Sequence, residues 1–272
     1  MPFTHFKTLR ILTLLLALSL SIVSIAGGFF PDTYERDHVS MAAQGAGQDL
    51  VDLFLVVPLL LVTFFLTARG NRKAALVYAG TLAYIMYSFV IYCFGVYFNQ
   101  LFLLYCLTLS VSLYAFILVF SDLKGQKVES WFGQAPVKLI SLYLALVALI
   151  FYFLWLKSVV PAILQNEIPK EVSDYNLLVN PVHVVDLVFA LPAVLIGSVL
   201  IWRRKGVGFI IASLSLVFMV LLTLALAAMV LMLEVRGISE DHTVAIVFGA
   251  LSLASVSMLL LLFRKILPPS TA

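Results

Sequence analysis

Residues 207–233 read VGFIIASLSLVFMVLLTLALAAMVLML, a run without a single charged side chain. A helix needs about 20 apolar residues to cross roughly 30 Å of hydrocarbon, and this stretch has them to spare. Seven further runs of similar character lie at 11–30, 50–68, 74–98, 101–120, 139–160, 182–202 and 244–263. None has the period-2 alternation of a membrane barrel, and a helix satisfies its own backbone groups where no water can. The chain therefore reads as all-α: a polytopic membrane helical bundle of about eight transmembrane helices, with the lipid bilayer as its main partner.

Composition agrees. Hydrophobic residues make up 63% of the chain and charged residues 11%, with a mean hydropathy of +1.11, whereas a soluble domain is about one quarter charged. A water-soluble fold is excluded, and the polar gaps are too short for a separate soluble domain. The formal charge of +3 does not point to nucleic acid, because the basic residues flank apolar runs and act as topology signals. Cys93 and Cys106 both lie inside apolar runs, so a disulfide framework or a CxxC metal site is not available; free thiols are expected.

Lys7, Arg10, Arg69, Arg72, Lys73, Lys124, Lys127, Lys138, Arg203, Arg204, Lys205, Arg264 and Lys265 fall on one side of the predicted bundle, and only Arg36, Lys157, Lys170 and Arg236 on the other. Cytoplasmic segments carry the excess of Lys and Arg. Both termini are thus expected in the cytoplasm, with the protein integral to a plasma membrane or bacterial inner membrane. The first run, with its basic start and Ser24-Ile25-Ala26, also resembles a cleavable signal peptide. It is read as a retained span because it continues to Phe30 and has a counterpart in the second half.

That counterpart comes from an internal repeat. A shift of 134 residues lays Leu50-Val51-Asp52-Leu53 on Val184-Val185-Asp186-Leu187, Pro58 on Pro192 and Arg69 on Arg203. It carries spans one, two and three onto five, six and seven. The expected organisation is a 4+4 parallel internal repeat, 1–134 and 135–272, related by an axis along the membrane normal, as in some transporter folds.

The repeat brings out the candidate site. Asn180-Pro181 opens span six as N-cap and first helical residue, with His183 and Asp186 three residues apart on one face. Span two carries Asp49 and Asp52 in the same relation. A carboxylate near the middle of a membrane helix costs about 2.5–3.5 kcal/mol on insertion scales, so its retention implies a partner or a role. The helix dipole accounts for an acid in the first turn, which suits Asp49 but not Asp52 or Asp186. Asp52, Asp186, His183 and Asp49 are therefore the candidate ion- or substrate-binding residues, in a site between spans two and six that opens outward. Pro58 and Pro192, six residues deeper, are expected to kink their helices by leaving the carbonyls of Phe54 and Val188 without their usual donors.

Tyr84, Tyr87 and Ser88 in span three, and Tyr105, Thr108 and Ser112 in span four, form mildly polar stripes suited first to helix packing. No lysine lies deep in a span, and no Gly-rich phosphate loop, GxSxG elbow or HExxH motif occurs. The leading functional expectation is a small solute or ion transporter or permease in which Asp52 and Asp186 bind a proton or coupling cation and His183 tunes them. A second is a metal-dependent membrane enzyme with Asp49, Asp52, His183 and Asp186 as ligands for Mn, Fe or Zn. A third is a sensor or assembly partner contacted through the loops 31–48 and 161–180.

Overall fold

The computed structural model describes residues 4–239 and 241–266. Among them, eight helices are long and apolar enough to cross a membrane: α1 (Phe6–Phe29), α2 (Val39–Ala68), α3 (Arg72–Gly95), α4 (Phe102–Lys124), α5 (Val137–Gln165), α6 (Pro181–Trp202), α7 (Gly206–Val235) and α8 (Thr243–Phe263). The described residues contain no strand, only an isolated bridge between Phe132 and Ile266. Thr4, bonded to Asp122, and Ile266, bridged to Phe132, lie on the same face of the bundle, the terminal face. The segments 30–38, 96–101, 166–180, 236–239 and 241–242 make the distal face.

Helix α3 is the centre. Its apolar segment is 72% buried, against 22% for α8, and it packs on α2, α4, α7 and the distal end of α6. Helix α7 is the other hub, contacting α2, α3, α6 and α8, while α1 packs on α2 and α4, and α5 on α6. Small residues allow these approaches, since lipid supplies no hydrophobic drive and packing must hold the bundle. A Cβ at Gly47 of α2 would stand 2.6 Å from the Ala228 carbonyl oxygen of α7.

Hydroxyls stitch several helix pairs, and only Thr108 among them belongs to the polar stripes marked in the sequence. Thr108 bonds Ser19 across α4 and α1 at 2.9 Å, Thr13 meets Tyr78 at 2.6 Å, and Ser141 and Ser198 exchange bonds between α5 and α6. Such bonds are worth about 0.6 kcal/mol each on average, so they fix register more than they add stability. Cys93 and Cys106 are free thiols whose side chains adjoin across α3 and α4.

One boundary differs greatly from expectation. The second helix begins at Val39, eleven residues before the apolar run at 50–68. Its added turns, VSMAAQGAGQ, look like loop by hydropathy, yet Ala43, Ala46 and Gly47 are buried, with Gly47 against α7. Small residues there let two backbones meet, which hydropathy does not register. The expected loop 31–48 is thus mostly helix, and Asp49 lies almost three turns inside it, beyond reach of the helix N-terminus.

Both prolines sit just after a wide turn. Residues Asp52–Val56 and Asp186–Ala190 are π-helical, with Val57 N–H donating to the Asp52 carbonyl and Leu191 N–H to the Asp186 carbonyl. In each helix the turn that accommodates the missing proline donor starts at the aspartate itself. Such π turns recur at functional sites.

Candidate functional site

The four candidate residues separate into two groups. Helices α2 and α6 have no substantial contact with each other; each packs on α3 and α7 instead. Asp49 and Asp52 adjoin on α2, whereas His183 and Asp186 lie on α6. Among the described residues no three His, Cys, Asp or Glu side chains converge as a metal ion would require. Asp49, Asp52, His183 and Asp186 are therefore not one metal-ligand set in this conformation, because the central helices keep the two pairs apart.

The α2 group is the more deeply buried. Asp49 is 0% and Asp52 1% exposed. Asp49 accepts from the Tyr34 hydroxyl at 2.5 Å and the Tyr92 hydroxyl at 3.0 Å; Asp52 accepts from Tyr84 at 2.9 Å. Burial first, then the Asp49 carboxylate, holds the Tyr34 phenol well above its ordinary pKa, so it remains a donor. Gly27 of α1 makes the arrangement possible: a methyl there would overlap Asp49 Oδ2 and the Tyr34 hydroxyl.

Two more polar groups face these carboxylates without completing a bond. Ser24 Oγ lies beside Asp49 and Gln48 Nε2 beside Asp52, each buried and without a hydrogen-bond partner. No Lys or Arg among the described residues pairs with Asp49, Asp52 or Asp186. Each buried hydrogen bond to a charged acceptor is worth about 1.5–3 kcal/mol. The three phenols thus offset part of the desolvation of two ionised carboxylates, which costs several kcal/mol each.

The α6 group is shallower. Asp186, 6% exposed, accepts from Trp155 Nε1 at 2.7 Å and adjoins the Tyr87 hydroxyl. The Trp155 and His183 rings meet with centroids 4.6 Å apart. His183 Nε2 stands 3.7 Å from Glu171 Oε1, too far for a hydrogen bond, and has no partner. Glu171 in turn accepts from Ser158. Burial raises the Glu171 pKa, but the Ser158 hydroxyl, its own backbone N–H and His183 outweigh that and hold it below the ordinary glutamate value. Asn180 caps α6 as expected, its Oδ1 accepting from Val182 N–H at 2.9 Å.

Tyr84 and Tyr87 are successive members of one face of α3, and each serves a different aspartate. This helix is the physical link between the groups. The sequence marked Tyr84, Tyr87 and Tyr105 only as a polar stripe. Tyr34, Tyr92, Ser24 and Gln48 went unmarked; the 4-residue steps from Tyr84 through Ser88 to Tyr92 were the one available signal. Tyr34 belongs to a short 3-10 turn, Pro31–Tyr34, and nothing local to it in sequence points to Asp49.

The distal face holds a cleft of about 820 Å³, lined by Thr33, Arg36, Asp37, Tyr97, Asn99 and Phe102 among others. Burial lifts the Asp37 carboxyl above its ordinary pKa, opposed by the Tyr97 N–H that donates to its Oδ1 at 3.0 Å. Asn99, one of the lining residues, donates to the Tyr105 hydroxyl at 3.0 Å, and Tyr105 adjoins Tyr34. Comparison with protein-family models, curated proteins and solved structures finds no match to this chain.

Proposed function

We propose that this multi-pass membrane protein is a small proton-linked permease whose ion site is the Asp49–Asp52 pair, with the Asp186 group as its counterpart in the second half. The observation that carries this reading is a pair of fully buried carboxylates with no cationic partner, faced by the unbonded Ser24 Oγ and Gln48 Nε2. Charge balance in apolar surroundings requires that the pair hold a proton or a small cation. A proton fits best, because the phenol oxygens already stand at hydrogen-bond distance and no third acidic or histidine ligand is near.

Two further features support a moving site over a fixed structural one. Each aspartate opens a π turn before a proline, a segment whose backbone bonds can rearrange at small cost. The helical segments after those turns, Val57–Ala68 and Leu191–Trp202, and the starts of α3 and α7 at Arg72 and Gly206, recur at the same 134-residue spacing. That spacing supports the 4+4 repeat, 1–134 and 135–272, and halves able to shift about α3 and α7. On the charge bias, the terminal face is cytoplasmic and the distal cleft external.

The experiment uses the protein in vesicles containing a pH-sensitive dye. Dicyclohexylcarbodiimide, which attacks protonated carboxyls in apolar surroundings, is expected to label Asp49 or Asp52, as read by peptide mass. Amino acids, sugars, nucleobases and organic cations added singly should include one class that moves protons, and Asp49→Asn and Asp52→Asn should each abolish that movement. Absence of labelling together with proton movement that survives both variants would falsify the reading.

A further inference from the structure

We infer that protons reach Asp49 from the distal cleft along a chain of hydroxyls, Tyr105 then Tyr34, and that Asn99 is the plug which keeps water from the head of that chain. The inference rests on the proton-site reading above and adds to it a route, a direction and a gate.

The geometry is directional. Leu101 N–H donates to Asn99 Oδ1 at 2.9 Å, which fixes the amide so that Nδ2 points inward. That nitrogen donates to the Tyr105 hydroxyl at 3.0 Å and to the Thr33 carbonyl at 3.3 Å. The Tyr105 oxygen accepts from Asn99 and its hydroxyl adjoins that of Tyr34, toward which the Tyr105 hydrogen can rotate. Tyr34 donates to Asp49 Oδ2 at 2.5 Å. Tyr92 closes the other side, its ring edge-on to Tyr105 at 5.4 Å and its hydroxyl on Asp49 Oδ1 at 3.0 Å. Asn99 thus donates to Tyr105, and Tyr34 and Tyr92 donate to the carboxylate; the inward sense of the step between Tyr105 and Tyr34 is part of the inference.

Tyr105 is 1% exposed and does not line the cleft, whereas Asn99 does. Water meets the chain only where the Asn99 amide moves aside. A proton then bonds to the Tyr105 oxygen as the Tyr105 hydrogen passes to the Tyr34 oxygen and the Tyr34 hydrogen passes to Asp49 Oδ2. Each O–H bond broken is matched by one formed, and one positive charge moves inward. Asp37 lies at the cleft wall near Tyr105, its Oδ1 held by the Tyr97 N–H.

Infrared spectroscopy of the reconstituted full chain tests this. The carbonyl stretch of a protonated carboxyl shifts when water is replaced by D2O, and the rate of that shift reports access to the Asp49–Asp52 pair. Tyr105→Phe keeps the ring and removes the relay atom, so the shift is expected to slow about tenfold, the effect of a barrier raised by about 1.4 kcal/mol. Asn99→Ala opens the plug and should speed it by a similar factor. The band itself should keep its intensity in both variants, as should the amide bands that report folding. Unchanged rates in both variants, or slowing by Asn99→Ala, would overturn the route while leaving the site intact. Absence of the band from the unaltered protein would instead sink the proton-site reading on which the route depends. If Tyr105→Phe loses helical amide signal, Tyr34→Phe takes its place with the same expected slowing.

Discussion

Gly27 carries a demand that only its three-dimensional neighbours explain. It sits in α1 where a methyl would occupy the position of Asp49 Oδ2 and the Tyr34 hydroxyl. Gly27→Ala should therefore destabilise the protein by about 1–3 kcal/mol, as overpacking does, while Gly249→Ala, with open space around it, should be neutral or slightly stabilising. Chemical denaturation in detergent compares the two, and equal effects would contradict the close approach. Trp155 is the second such residue. Its indole N–H donates to Asp186 at 2.7 Å, so Trp155→Phe should cost about 1.5–3 kcal/mol and leave the α2 group unaffected.

Glu171 gives a pH prediction with a definite sign. Its folded pKa lies below the ordinary glutamate value, so the charged form is the one the fold favours. The stabilisation is complete above the unfolded pKa and is lost as pH falls through the folded one. Hydrogen exchange of the segment Lys170–Ser173 should therefore accelerate only below the ordinary glutamate range, and Glu171→Gln should remove that acid step. A step that persists in the variant would assign it to another group.

At the scale of elements, the two proline-bearing helices matter most. Pro58 and Pro192 cannot donate a backbone bond, and each comes after a π turn beginning at an aspartate. Alanine supplies the missing N–H and lets the turn tighten toward α geometry. Taking one residue out of the turn rotates the N-terminal part of the helix by about 100° relative to the C-terminal part. Pro58→Ala is thus expected to lose carbodiimide labelling on α2 and to lower the thermal midpoint, since the rotation would part Asp49 from Tyr34 and Tyr92 and Gly47 from α7. Lower stability with labelling intact would mean that the proline serves packing alone. The sequence indicated that these prolines disturb their helices. It did not reveal that the disturbance is a π turn, because that depends on which carbonyls the neighbouring helices leave available.

For the whole molecule, the basic residues on the terminal face predict one orientation by the excess of Lys and Arg in cytoplasmic segments. In a chain whose Cys93 and Cys106 are replaced by serine, a single cysteine at Lys170 should react with an impermeant reagent added outside intact cells, and one at Lys127 should not. The reverse pattern would invert both the topology and the external placement of the cleft. Helices α3 and α7 stand between α2 and α6, so the two aspartate groups are connected through the phenols of Tyr84 and Tyr87 and the contacts of α7.

The sequence by itself determined the helical membrane class and the number of spans, with most boundaries within two residues, because a 30 Å apolar slab imposes length and hydropathy on every segment that crosses it. It also marked Asp49, Asp52, His183 and Asp186, since acids in such segments are costly wherever they lie. Only the tertiary structure decided which of them meet. The start of α2 at Val39 was hidden because alanine and glycine signal close packing, not hydropathy, and that start moved Asp49 from a helix end to a buried interior. The pairing of Asp49 with Tyr34 and Tyr92, and of Asp186 with Trp155, depends on helix rotation and on the close approach at Gly27 and Gly47. Those are set by contacts between segments far apart in the chain, which no local pattern encodes.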